Sequence, residues 1–284
     1  MTVTHLSRLE ELDPDAAIQE AASQVDASSR ASFQRTTGVD TRRAFLRKAG
    51  IGGVALVGGG VLLGASAGTA RAGHDNPAAI TDVDILNFAL TLEYLEASFY
   101  VQALGSGSQT LPPGVPASAG KFKRGAITGA KQFAGFGGRI RSTSYGYLSA
   151  IRDHEVTHVA FLQRALGGAA APACIFDFSK GLTNVGTFLV TARTLENTGV
   201  MAYDGAIRYV DAGDNLQAGA QIATVEARHA AYLNLITRLS PFPSAFDAGK
   251  KPSEIVTAVL ATGFIKSCPQ PVLDLFAKLK ANGA

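Results

Sequence analysis

Cysteine is scarce, charge is sparse and sustained period-two alternation is missing. The chain has only two cysteines, Cys174 and Cys268, far apart and without C-x-x-C spacing. That excludes a thiolate metal site of the zinc-ribbon kind. Charged residues make up 17% of the chain and the formal net charge is only +3. With no basic stripe interleaved with aromatics, nucleic acid is excluded as the main partner. The absence of alternating runs leaves no basis for a sheet, and an all-helical fold is expected. What the chain has in quantity is apolar surface: 46% of its 284 residues are hydrophobic. That is enough to bury a sizeable core in one or two domains.

The N-terminal quarter separates from the rest. Residues 1–40 are polar and without sustained periodicity, and are expected to form a disordered extension. Residues 41–72 read TRRAFLRKAGIGGVALVGGGVLLGASAGTARA. The paired Arg42 and Arg43, the mildly apolar run and the closing Ala70-Arg71-Ala72 resemble a twin-arginine export signal with its cleavage site. The run is too rich in glycine for a good spanning helix, so a cleaved signal is favoured over a retained anchor. This implies the export machinery as a partner and a periplasmic or other extracytoplasmic location. There, Cys174 and Cys268 are expected to form a disulfide, with buried free thiols as the alternative. The mature domain is expected over residues 73–284.

Four long stretches carry helical periodicity, at about 81–104, 142–166, 184–210 and 216–239. Residues 105–138, rich in Gly, Ser and Pro, read as an irregular connection. Shorter helices are expected near 253–263 and 270–281. The break between the third and fourth stretches is short, so they should pack antiparallel. The connection from the second to the third is long enough to cross the length of a bundle. An antiparallel four-helix bundle with a long crossover and short C-terminal helices follows, with its core over about residues 80–240.

Two strings recur on these helices. EVTHVAFL (155–162) and EARHAAYL (226–233) share E-x-x-H, while TLEYLEASFY (91–100) and TLENTGVMAY (194–203) share T-L-E-x6-Y. Helical spacing puts Glu155 with His158, Glu226 with His229, Glu93 and Glu196 on the apolar, inward stripes of their helices. Four bare carboxylates would cost a bundle several kcal/mol each. Two divalent cations balance them, with Glu93 and Glu196 terminal, His158 and His229 one per metal, and Glu155 and Glu226 bridging. Mixed carboxylate and imidazole ligation suits iron or manganese. Glu96 lies on the same stripe, one turn from Glu93 and opposite Gly199. It is either a further ligand, a group behind the ligands, or a solvated side chain. Tyr100 and Tyr203 are expected to hydrogen-bond the carboxylates.

The first string also reads HEVTH because residue 154 is His. A zinc protease would use both histidines and needs a third ligand. The usual extension places that ligand at residue 164, which is Arg. The second copy has Val225 where the first has His154, so E-x-x-H is the repeated unit. His154 is expected behind the ligands or on the surface.

LTLEYLEASFY, IRDHEVTHVAFL, TLENTGVMAYDGAI and EARHAAYL together resemble the ferritin-like superfamily. More narrowly, they resemble the exported bacterial ferritin-like domain proteins that include desiccation-related proteins. The resemblance implies a dinuclear centre on Glu93, Glu155, His158, Glu196, Glu226 and His229. It also implies a link to oxidative or desiccation stress. O2 or peroxide is the expected small-molecule substrate, for Fe(II) oxidation, peroxide removal or manganese-catalase-like chemistry. The long connection at 105–138 departs from the compact hairpin of storage ferritins, so a ferritin-type cage is not implied. The alternative is a non-enzymatic envelope or stress-protective protein with a structural or vestigial metal. A homo-oligomer or an envelope partner is compatible with either reading.

Overall fold

The computed structural model describes residues 79–284. The expected extension and the export signal with Arg42 and Arg43 lie outside the described residues. Four long helices form the frame: α1 (Asp82–Leu104), α3 (Gly138–Leu166), α4 (Val185–Ala206) and α5 (Gly213–Ile236). The connection between α1 and α3 holds a short helix, α2 (Arg124–Thr128), and a 3₁₀ turn at Lys131–Phe133. The C-terminal region adds α6 (Pro252–Ala261) and α7 (Gln270–Ala281). Among the described residues no helix is long and apolar enough to cross a membrane.

Local chemistry sets the helix ends. Thr81 opens α1 with a capping box. Its hydroxyl accepts from the Asp84 amide, and the Asp84 carboxylate accepts from the Thr81 amide at 2.8 Å. Asp82 and Asp84 also meet the positive end of the helix dipole. Gly105, at φ 92°, ends α1 in a conformation that side-chain-bearing residues avoid. Asn184 caps α4 by accepting from the Thr187 amide at 3.0 Å. α3 starts four residues earlier than periodicity suggests, at Gly138, because Ile140 packs on the core and outweighs a glycine-rich start.

The bundle is two helical pairs, α1 with α3 and α4 with α5, joined by the crossover at 167–184. α1 is buried on nearly every face from Asn87 to Val101. That follows from its composition, apolar around the whole circumference. Its outer side is covered by the loops and the C-terminal helices. The Gln163 amide bridges the Tyr94 hydroxyl (2.6 Å) and the Pro113 carbonyl (2.7 Å). Lys278 of α7 donates to Asp84 at 2.7 Å. α6 packs on α4, where the chain passes so close that a Cβ on Gly205 would lie 1.7 Å from the Lys250 carbonyl oxygen.

Two features depart from the sequence reading: the short helix α2 within the connection expected to be irregular, and a two-stranded ribbon. β1 (Ile175–Phe176) and β2 (Ile265–Ser267) pair antiparallel. Strands this short show no alternation to detect. Beside them Cys174 and Cys268 are disulfide-bonded, with a sequence separation of 94 residues. Ribbon and disulfide together tie the crossover to the C-terminal region.

Candidate metal centre

The six residues singled out on the helical stripes converge. Glu93, Glu155, Glu196 and Glu226 are each fully buried, and His158 and His229 are buried beside them. The Nδ1 atom of His158 lies 3.2 Å from Glu93 and 3.3 Å from both Glu155 and Glu226. The Nδ1 atom of His229 lies 3.0 Å from both Glu155 and Glu196. Two groups result, each with ligand atoms within 4.8 Å of one another: Glu93, Glu155, His158 and Glu226, and Glu155, Glu196, Glu226 and His229. Glu155 and Glu226 belong to both. None of their four buried carboxylate oxygens has a well-aligned hydrogen bond; three of them face the His158 and His229 nitrogens at 3.0–3.3 Å, and Glu226 Oε2 faces none. Buried acceptors are normally well satisfied, and carboxylates and imidazoles that converge without aligned hydrogen bonds suit a place for cations. The donor set therefore fits two divalent metal ions.

The tyrosines cross between the two halves. Tyr100 of α1 donates to Glu196 of α4 at 2.6 Å. Tyr203 of α4 donates to Glu93 of α1 at 2.5 Å. Each half of the bundle thus holds the terminal carboxylate of the other. Periodicity placed both tyrosines inward but could not assign their partners. His154 stands behind the site, with its Nδ1 atom 2.8 Å from Nε2 of His229. His229 so presents Nδ1 to the carboxylates and is oriented through its other nitrogen. His154 is itself exposed at the helix surface, and no metal-ligating group among the described residues includes it.

Glu96 is buried, yet it is in neither ligand group. It faces Gly199: a Cβ there would lie 3.0 Å from Glu226 Oε2 and 3.5 Å from Glu96 Oε1. Gly199 therefore makes room for both carboxylates. No sequence signal distinguishes this glycine from ordinary packing.

Proton affinities follow from crowding in a dry interior. Burial, followed by the neighbouring carboxylates Glu226 and Glu196, pushes Glu96 well above the carboxylate range. Burial pushes Glu226 well up, with Glu155 and Glu196 adding to it. Burial also raises Glu93 to about 8, against the pull of His158. For Glu155 burial acts upward, but His158 and His229 outweigh it and hold the carboxyl low. Burial disfavours the charged imidazole of His229, but Glu196 and Glu155 prevail and raise it to about 11. Without metal, protons and imidazolium charge carry the neutralisation that cations would otherwise supply.

A ferritin-like domain family model matches residues 81–238, more than half of the chain and all four long helices. The chain belongs to the ferritin-like domain family. No curated protein matches it in sequence. The ferritin-like match spans both T-L-E-x6-Y strings and both E-x-x-H strings, so the converging residues lie within it.

Proposed function

We propose that Glu93, Glu155, His158, Glu196, Glu226 and His229 hold two iron or manganese ions, and that this centre carries out redox chemistry with O2 or peroxide. The observation that carries the reading is that Glu155 and Glu226, fully buried and without a well-aligned hydrogen bond, belong to both ligand groups. Glu93 with His158 and Glu196 with His229 complete the two ends. Held by these residues, a metal pair would supply two electrons together, enough to reduce O2 with two protons to H2O2, or H2O2 with two protons to two waters. The chain supports this chemistry by orienting and neutralising. Tyr203 and Tyr100 hold the terminal carboxylates, and His154 orients His229. Glu96 keeps a proton within reach of the cluster. The apolar core around the site excludes bulk water.

Export by the twin-arginine route and a role in oxidative or desiccation stress complete the proposal. Both rest on Arg42, Arg43 and the resemblance of the four strings. A second reading has one observation in its favour: the carboxylates are fully buried, as in closed structural metal sites. The metal would then be a staple in a non-enzymatic envelope protein. Assays of Fe(II) oxidation and peroxide consumption on metal-loaded protein separate the two. Turnover lost together with metal in Glu155→Ala supports the redox reading. Tightly held metal without turnover supports the staple.

A further inference from the structure

An apolar cavity lies on the bundle seam beside the carboxylate cluster. Ala89, Leu162, Tyr203 and Ile222 form its buried wall, and Leu86 and Gly219 line it where the helices are half-buried. The spacing fixes its place. Ala89 is one turn before Glu93, Leu162 one turn after His158, and Ile222 one turn before Glu226. Tyr203, in the wall, donates its hydrogen bond to Glu93, so the cavity and the site share a side chain.

The lining selects its occupant. The Tyr203 hydroxyl is committed to Glu93, and the amide of Asn215, the other polar side chain in the lining, donates to Asp82 at 2.8 Å. Water in such a place finds no partners, and apolar cavities stay dry while accepting xenon or small hydrocarbons. The cavity offers about 30 Å³ to the centres of water-sized molecules. That is more room than a single water-sized molecule requires. A diatomic gas molecule fits. Peroxide would be stripped of its hydrogen bonds on entry, at a cost of several kcal/mol, whereas O2 has none to lose.

We propose that this cavity is a binding pocket for a small apolar gas, and that it brings O2 to the wall formed by Tyr203 at Glu93. Delivery rests on the dinuclear reading above; the pocket itself does not. Gly219 makes the test clean, because a Cβ added there meets nothing within 4 Å. Metal-free protein under xenon pressure, read by crystallography or xenon NMR, should show xenon against Ala89, Leu162 and Ile222. Gly219→Leu should weaken that binding about tenfold or more while metal uptake stays at the wild-type level. In metal-loaded protein the same variant should raise the O2 concentration for half-maximal oxidation about tenfold and leave the reaction with peroxide unchanged. Leu86→Phe is the second variant should the first fail to fold. Xenon absent from the wild-type pocket overturns the proposal. So does an unchanged O2 dependence in a variant that has lost xenon. Failure of the wild type to load metal would instead overturn the redox reading, and the xenon measurement would still decide the pocket.

Discussion

Loading the centre with Mn(II) at neutral pH must expel protons. Glu93, raised by burial to about 8, is about nine-tenths protonated at pH 7 without metal. His229, disfavoured by burial but raised to about 11 by Glu196 and Glu155, carries about one proton. A ligating carboxylate and a ligating imidazole must both give these up. These two groups alone release about two protons per site. The apparent affinity should then rise with pH with a log–log slope of at least about two below pH 8 and at least about one between pH 8 and 11. His158 and Glu226 are raised as well and can only add to the count. Stability of the metal-free protein runs the other way. A raised folded-state pKa stabilises fully below the unfolded value, and that contribution fades as pH climbs through the folded value. For Glu93 the loss spans the range from its unfolded value near 4.5 to about 8, and for His229 from near 6.5 to about 11. Metal-free protein should therefore melt lower at pH 9 than at pH 6. Calorimetric titration in two buffers of different ionisation enthalpy counts the protons directly. Release of fewer than one proton per site would refute the reasoning.

Three further outcomes follow from the same geometry. Glu226→Leu removes a carboxyl whose proton affinity burial raises and whose Oε2 has no hydrogen bond, and should stabilise the metal-free protein by about 1–3 kcal/mol in urea titrations while abolishing metal-induced stabilisation. Gly199→Ala crowds the Glu226 carboxylate at 3.0 Å and should lower metal affinity about 10–100-fold, with the helical circular dichroism unchanged. Reduction of Cys174–Cys268, which closes a 94-residue separation, should cost about 2–4 kcal/mol of stability in denaturant titrations with and without reductant.

Much of the site was legible because helical periodicity reports direction. Glu155 with His158 and Glu226 with His229 interrupt apolar stripes, so their inward orientation is legible in the sequence. Periodicity cannot report which side chain meets which. Hence the crossing of Tyr100 to Glu196 and Tyr203 to Glu93 emerged only from the structure, as did the contact of His154 with His229. Asp82 shows the same limit. Its carboxylate, in the first turn of α1, also accepts from the amides of Asp211 and Ala212 and joins the first helix to the turn between α4 and α5. The strands at Ile175–Phe176 and Ile265–Ser267 were missed because two or three residues carry no period. The start of α3 was missed because glycine lowers local propensity while packing of Ile140 restores the helix. Gly199 was noticed as a small residue opposite Glu96, but its contact with Glu226 depends on where α5 lies.

The most direct test is metal analysis of protein purified from the compartment in which it resides, beside Glu155→Ala prepared identically. Two bridged ions predict about two equivalents of iron or manganese per chain in the wild type. They also predict loss of that metal in the variant while the helical spectrum persists. An intact wild-type bundle that carries no metal would contradict the account.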